Sequence, residues 1–241
     1  APVLGGVLLG MMDWKGIFWV LLGIGLVLLA ALVFFRESLE VEKRRRGSIF
    51  SAFRQYVPLL RNRQFMRYVW IQALAMGVMF VYIAASPFIF QNHFDTSPLV
   101  YSLCFGVNAV GIMLGSLAVA RFRDAVSALR YGVRGFAVGS LLVAAAFIFS
   151  PSVWVTEVVL FFFLICLGLI LPGSTTLALD MEREHSGNAS ALLGFLMFLF
   201  GGVLSPLTGI GNMLYTTAIL MVVCSAGAWL CTRKACGQSG R

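Results

Sequence analysis

Long runs of uncharged apolar residues recur along this chain of 241 residues, and they constrain its fold more than any other feature. Each run is close to the roughly 20 residues that a helix needs to cross about 30 Å of hydrocarbon. The runs are continuously apolar, whereas the strands of a membrane barrel alternate between lipid-facing and lumen-facing residues. The chain is 12% charged, against roughly 25% in a soluble domain. We therefore predict an all-α membrane protein.

Seven of the runs are predicted to be complete membrane spans, and one at the start of the chain is predicted to be partial. The complete spans cover residues 16–35, 68–90, 99–120, 131–149, 153–179, 187–209 and 214–232. Residues 1–11 are apolar, but as a helix they cover only about 16 Å, roughly half of the hydrocarbon. We expect this segment to be half of a span, with further spans upstream of it.

Positive charge is concentrated on one side of the predicted membrane. The connection 36–67, the loop 121–134, the loop around Arg183 and the C-terminal tail together hold all of the 18 Lys and Arg residues except Lys15. By the positive-inside rule this side is cytoplasmic, with the C-terminus inside, and we expect a bacterial cytoplasmic (inner) membrane. The net charge of +8 is therefore interpreted as a topology signal, and nucleic acid is not expected as a partner.

The longest connection divides the chain into parts. The predicted parts are 1–35, the end of an N-terminal bundle; 36–67, a cytoplasmic linker; 68–232, a six-helix C-terminal bundle; and 233–241, a cytoplasmic tail. Apolar residues of the linker fall on one helical face: Ile49, Phe50, Phe53, Val57 and Leu60. This pattern predicts an amphipathic helix lying on the membrane surface. The six later spans divide as three plus three, as in one half of an inverted-repeat transporter.

Several motifs resemble those of the major facilitator superfamily, in its drug/proton antiporter type. Pro2, Gly5 and Gly6 match the end of the antiporter signature Gly-Pro-x-x-Gly-Gly of the fifth span, although Ala1 replaces its first glycine. The segment 186–194, Ser-Gly-Asn-Ala-Ser-Ala-Leu-Leu-Gly, is similar to the eleventh span of the bicyclomycin-resistance (Bcr/CflA) branch. A further segment resembles the degenerate second copy of the family's basic-loop motif, with Gly115, Arg121, Arg123 and Asp124 at the matching positions.

This resemblance implies a fold and a function. The chain would correspond to half of span five, span six and the six-helix C-terminal bundle of a twelve-span transporter. It would export hydrophobic or cationic drugs in exchange for protons by alternating access between two bundles. The spans 68–90 and 153–179 would line the central cavity, and most acidic residues linked to proton coupling would belong to the missing N-terminal bundle.

Polar residues inside the spans are costly in lipid, so they tend to face a cavity or a partner helix. The residues predicted to line a substrate cavity are Gln72, Met76, Met79, Tyr82, Ile83, Asn108 and Thr175. Four of them, Gln72, Met76, Met79 and Ile83, recur on one face of span 68–90, and flexible methionines would suit varied apolar substrates. The alternative is that this stripe faces lipid or the protein core.

Glu157 is the only acidic residue inside a predicted span. A carboxylate there could take up and release a proton, which makes Glu157 the candidate for proton coupling. The preferred interpretation is different, because Glu157 lies four residues from the end of its span. At that depth its carboxylate is expected to reach the lipid headgroups.

No motif predicts a catalytic residue, a cofactor or a metal. The chain has no Walker sequence, dinucleotide fingerprint or nucleophile paired with a base, so an ion gradient is the expected energy source. The acidic residues of one loop, Asp180, Glu182 and Glu184, are interpreted as solvated or as partners of the basic loop 121–134. A carrier of a sugar, amino acid or siderophore is the alternative function, and a non-transport membrane protein or enzyme ranks last.

Overall fold

A computed structural model describes residues 5, 8, 10–35, 54–149 and 152–236, and the regular structure in this part of the chain is helical. The helices are α1 (Trp14–Val33), α2 (Tyr56–Arg61), α3 (Arg63–Phe88) with a π-helical turn (Ile89–His93), α4 (Pro98–Ala118) with a 3₁₀ turn (Val119–Arg121), α5 (Ala125–Phe149), α6 (Val153–Met181), a 3₁₀ turn (Arg183–His185), α7 (Ser186–Leu207) and α8 (Met213–Cys236). Among the described residues, seven helices are long and apolar enough to cross a membrane. The prediction of an all-helical, multi-pass fold is confirmed.

Several helices begin before the apolar runs that predicted them, because a polar side chain caps the first turn. The side-chain oxygen of Asn62 accepts hydrogen bonds from the backbone N–H groups of Gln64 at 3.1 Å and Phe65 at 3.2 Å. As a result α3 begins at Arg63 and not at residue 68. Asp124 accepts from the N–H of Ser127 at 2.6 Å, and α5 begins accordingly at residue 125. Such caps satisfy N–H groups that have no partner within the helix.

Helices α3 and α6 occupy the centre of the six-helix part. Helix α3 packs against α6, α7 and α8, while α6 packs against α3, α4 and α5, and α5 contacts α8. This pattern is unchanged when the first three helices are exchanged for the last three, which is the arrangement expected of an inverted repeat. The two central helices have the largest buried fractions of the seven candidate spans. In contrast, none of the residues of α1 is buried.

The predicted amphipathic linker helix lies mostly outside the described residues, since Ile49, Phe50 and Phe53 belong to the segment 36–53. Of its remaining apolar residues, Val57 and Leu60 are exposed on α2. The division of the chain at residues 36–67 therefore stays a prediction.

Glycines allow α4 and α6 to approach each other closely. A Cβ atom at Gly115 would lie 2.1 Å from the carbonyl oxygen of Ile165, and one at Gly168 would lie 2.2 Å from a carbonyl oxygen of α4. Only residues without a side chain permit this contact between backbones. The hydroxyl of Ser116 donates to the Gly168 carbonyl at 3.1 Å. That carbonyl lacks its usual helical donor, because Pro172 has no N–H.

Candidate functional site

Two clusters of buried polar side chains connect the central helices. The Glu157 cluster consists of Tyr82 on α3, Asn108 on α4 and Glu157 on α6. The Gln72 cluster consists of Gln72 on α3 with Ser174 and Thr175 on α6. Most of the predicted polar site residues are thus brought together in two separate places rather than in one.

The Glu157 cluster is held together by one amide group. Asn108 Nδ2 donates to the hydroxyl oxygen of Tyr82 and to Oε2 of Glu157, each at 3.0 Å. The side chains are buried, with Asn108 1% and Glu157 7% exposed. The ring of Tyr82 also stacks on Phe105 of α4, with centroids 5.6 Å apart. A single side chain of α4 therefore links α3 to α6.

Several acceptor atoms of this region are left without a partner. Asn108 Oδ1, Glu157 Oε1 and the neighbouring hydroxyl of Thr156 are buried and form no hydrogen bond within the described part of the chain. No ion pair within that part of the chain involves Glu157. A buried polar group without a partner costs free energy, and a buried unpaired charge costs more. The Glu157 cluster is therefore incompletely satisfied.

The expectation that Glu157 reaches the lipid headgroups is wrong. Its side chain turns into the bundle, because Asn108 of the neighbouring helix offers a hydrogen bond there. Distance from the end of a span is a poor guide to burial when an adjacent helix supplies a polar partner.

The Gln72 cluster is better satisfied. Gln72 Oε1 accepts hydrogen bonds from the Ser174 hydroxyl and from the Thr175 hydroxyl, the latter at 3.1 Å, and its Nε2 lies 3.4 Å from the sulfur of Met197. Both hydroxyls also point at carbonyl oxygens one turn earlier in α6, at 2.7 and 2.9 Å. The sequence analysis missed Ser174, although its position next to Thr175 was a signal.

The other predicted cavity residues lie on a more accessible face of α3. Met76 and Met79 are half-buried, and Ile83 is 37% exposed. Tyr82 and Asn108, in contrast, are buried in the Glu157 cluster. The face formed by Met76, Met79 and Ile83 is thus the accessible part of the predicted cavity lining, and its role stays a prediction.

The residues of the family motifs are distributed over three places. Pro2 and Gly6 lie outside the described residues, and Gly5 is helical. Gly115 packs in the α4–α6 contact, whereas Arg121 and Arg123 are exposed before α5. Hydrogen bonds from Ser127, together with the nearby arginines, lower the pKa of the Asp124 carboxyl. Asp124 thus remains an anionic helix cap at neutral pH.

The acidic loop agrees with the first of its two expectations, a solvated loop, since Asp180 and Glu184 are exposed. Asp180 pairs with Arg183 at 3.0 Å, and Glu182 accepts a hydrogen bond from Asn62 at 2.7 Å. Both partners lie outside the basic loop 121–134, so the second expectation, pairing with that loop, is wrong for these two carboxylates. In the described part of the chain, no group of three His, Cys, Asp or Glu side chains could hold a metal ion.

Seven membrane-length helices, six of them packed as two equivalent sets of three around buried polar clusters, define an integral multi-pass membrane protein. Residues 1–206 match the Major Facilitator Superfamily. The chain belongs to this family, whose members are membrane transporters and not enzymes. The family resemblance found in the motifs is confirmed.

The chain is similar to several curated members of the family. It is 35% identical to the uncharacterized MFS-type transporter YdgK of Bacillus subtilis over 92% of this chain and 56% of that protein. It is 25% identical to a bicyclomycin resistance protein homolog of Haemophilus influenzae over the same shares. The multidrug transporter MdfA of Yersinia pestis is 24% identical over 82% of this chain and 49% of its own length. The chain thus spans about half the length of these relatives.

Proposed function

We propose that the protein is a secondary active transporter that exports hydrophobic or cationic small molecules in exchange for protons, by alternating access. The observation that carries the proposal is Glu157, a carboxyl group that is enclosed between membrane helices and has no cation paired with it among the described residues. Ionisable groups in such positions commonly belong to proton or ion pathways. The names of two relatives, a multidrug transporter and a bicyclomycin resistance homolog, favour drugs as the cargo.

Asn108 positions the carboxyl group for proton exchange. Its amide donates a hydrogen bond to Glu157 Oε2. This oxygen can accept the bond whether the carboxyl group is protonated or ionised. The unpartnered Oε1 is then the atom that gains or loses the proton. Loss of the proton creates a charge that the bundle does not neutralise, so it favours a conformation in which water reaches the cluster. The protonated cluster therefore favours the enclosed conformation and the deprotonated cluster favours the hydrated one. This difference in preference couples proton release to alternating access.

The cargo binds on the accessible face of α3. Met76, Met79 and Ile83 offer a flexible apolar surface, and methionine side chains adapt to varied shapes. Thr175, which is half-buried and donates to Gln72, supplies a polar group at one end of that face. A surface with so few hydrogen-bonding groups suits greasy molecules better than sugars or amino acids.

The orientation follows from charge. The ends of the helices that carry Arg63, Arg130, Arg183 and Arg233 face the cytoplasm of a bacterial inner membrane, in accordance with the positive-inside rule. On this orientation the Glu157 cluster lies in the outer half of the membrane, where it can receive protons from outside.

Ethidium efflux from energised cells that express the full-length protein tests the proposal. We expect efflux that collapses when a protonophore dissipates the gradient. If the protein is present in the membrane and ethidium is not exported, the proposal fails for drugs. Uptake or export of sugars, amino acids or siderophores would then be measured, because a carrier of such solutes is the alternative.

A further inference from the structure

A groove between α5 and α8 opens on the outer surface of the helix bundle. It has a volume of about 340 Å³ and is lined by Arg134, Ala137, Val138, Ser140 and Leu141 from α5 and by Val222, Ala226 and Trp229 from α8. From Arg134 to Leu141 the groove extends about 10 Å along α5, at 1.5 Å per residue. Apart from Arg134 and the Ser140 hydroxyl, which donates to a carbonyl of its own helix, its lining is apolar. We call it the α5/α8 groove.

Arg134 is the charged residue of the α5/α8 groove. It is exposed, and it lies about two and a half turns inside α5, within a candidate membrane span. In the part of the chain that the structure describes, its guanidinium has no hydrogen bond or ion pair. A positive charge in a span requires a counter-ion or a path to water. The described residues supply neither an acidic partner nor a hydrogen-bond acceptor to this guanidinium.

Trp229 and Arg233 lie at the same end of the α5/α8 groove. Trp229 lines it from α8, and the guanidinium of Arg233, one turn further along, lies 4.8 Å from the centre of the Trp229 ring. Tryptophan prefers the boundary between hydrocarbon and headgroups. This end of the groove therefore combines two positive charges with an aromatic ring at headgroup depth, whereas the other end is lined by apolar side chains.

A second groove on α5 provides a comparison. It lies between α5 and α6, has a volume of about 290 Å³ and is lined by glycine, valine, leucine, phenylalanine and cysteine side chains. None of its lining residues is charged. The charge in the α5/α8 groove is therefore not a general property of surface grooves on this bundle.

We propose that the α5/α8 groove is a binding site for an anionic phospholipid of the surrounding bilayer. The lipid phosphate pairs with Arg134, and an acyl chain lies along Val138, Leu141 and Val222. Basic pockets between membrane helices bind anionic headgroups in this way. The arginine thereby gains the counter-ion that the described part of the chain does not provide, and this site is separate from both polar clusters.

Quenching of Trp229 by brominated lipids tests the proposal. The full-length protein is placed in phosphatidylcholine nanodiscs that contain increasing fractions of acyl-brominated phosphatidylglycerol or acyl-brominated phosphatidylcholine. The fluorescence of Trp229 is obtained by subtracting the fluorescence of the Trp229→Phe variant from that of the unmodified protein. We expect phosphatidylglycerol to quench it at an about fivefold lower mole fraction, the advantage typical of one basic residue near an anionic lipid.

Substitutions then assign the preference to Arg134. Arg134→Gln should remove most of the fivefold difference, because the remaining Arg233 does not line the groove. Arg134→Lys should retain most of the difference because the charge is kept. Lys234→Gln removes a charge at the same end of α8 that does not line the groove, and it should retain the preference. Equal quenching by both lipids in the unmodified protein, or an undiminished preference in Arg134→Gln, would overturn the proposal. The first of these criteria requires no variant at Arg134 and so does not depend on its folding.

Discussion

The two polar clusters of the bundle join the same central helices, but they differ in how well their groups are satisfied. In the Gln72 cluster one amide oxygen has two hydroxyls within hydrogen-bond distance, and each hydroxyl can direct its single proton either to that oxygen or to a carbonyl of α6. In the Glu157 cluster one amide group serves two acceptors, and Asn108 Oδ1 and Glu157 Oε1 have no partner. Gln72 Oε1 therefore has two alternative donors, whereas Asn108 Oδ1 and Glu157 Oε1 have none among the described residues.

This difference separates a cluster that stays neutral from one that can change its charge. A redundant set of neutral hydrogen bonds holds helices together and has no group that changes charge at physiological pH. A carboxyl group with one donor and a free oxygen has both a cost of ionisation and a site for a proton. Burial of polar groups alone therefore does not identify the candidate for proton coupling. The number of hydrogen-bond partners that each polar atom has is the better guide.

Replacement of the carboxyl group gives the largest expected effect on function. Glu157→Gln retains an oxygen that accepts from Asn108 but cannot exchange a proton, so protonophore-sensitive ethidium efflux should fall to the level of de-energised cells. The matched control in the other cluster is Ser174→Ala, which should retain gradient-driven efflux. If cells that express Glu157→Gln export ethidium at the unmodified rate, the Glu157 cluster is not required for proton coupling.

Removal of the shared donor gives the largest expected effect on stability. Asn108→Leu leaves the Tyr82 hydroxyl and the Glu157 carboxyl without their common partner, which should cost about 1–3 kcal/mol because buried groups lose a hydrogen bond that nothing replaces. Thermal unfolding of the purified full-length protein in detergent should show a lower Tm than for Ser174→Ala. If the two variants have the same Tm, the Glu157 cluster does not depend on a single donor.

Removal of one redundant donor gives the smallest expected effect. Ser174→Ala or Thr175→Val alone should cost about 0.6 kcal/mol or less, the average for a hydrogen bond between membrane helices. Together they leave Gln72 Oε1 buried without a hydroxyl donor, so the double variant should lose more than the sum of the two single losses. A double-mutant cycle from the same unfolding measurements provides the comparison. Additive losses would mean that the two hydroxyls do not substitute for each other.

Much of the fold was predictable because a bilayer imposes length and polarity on every span. All seven predicted spans correspond to observed helices, and the asymmetric distribution of arginines was readable from the sequence. Helix starts were less accurate, since Asn62 and Asp124 extend α3 and α5 with polar residues that a hydrophobic pattern does not include. A cap depends only on a polar side chain two or three residues before the N–H group that it accepts from, so both caps are features that a sequence can show.

The candidate site was predictable in its members but not in their grouping. Gln72, Tyr82, Asn108, Glu157 and Thr175 stood out because polar groups are rare in spans. Their division into two clusters depends on which helices are neighbours and on how they are rotated. That information is not contained in the periodicity of any single helix.

The sequence by itself determined that the chain crosses the membrane as helices, because backbone groups in hydrocarbon must be hydrogen-bonded within the protein and continuously apolar runs of this length suit helices and not barrel strands. Its motifs also determined the family. Only the tertiary structure decided that Glu157 is enclosed and not interfacial, because that depends on an amide group from another helix. It also decided that α4 and α6 touch at Gly115 and Gly168, since the fit of two surfaces is a property of the pair.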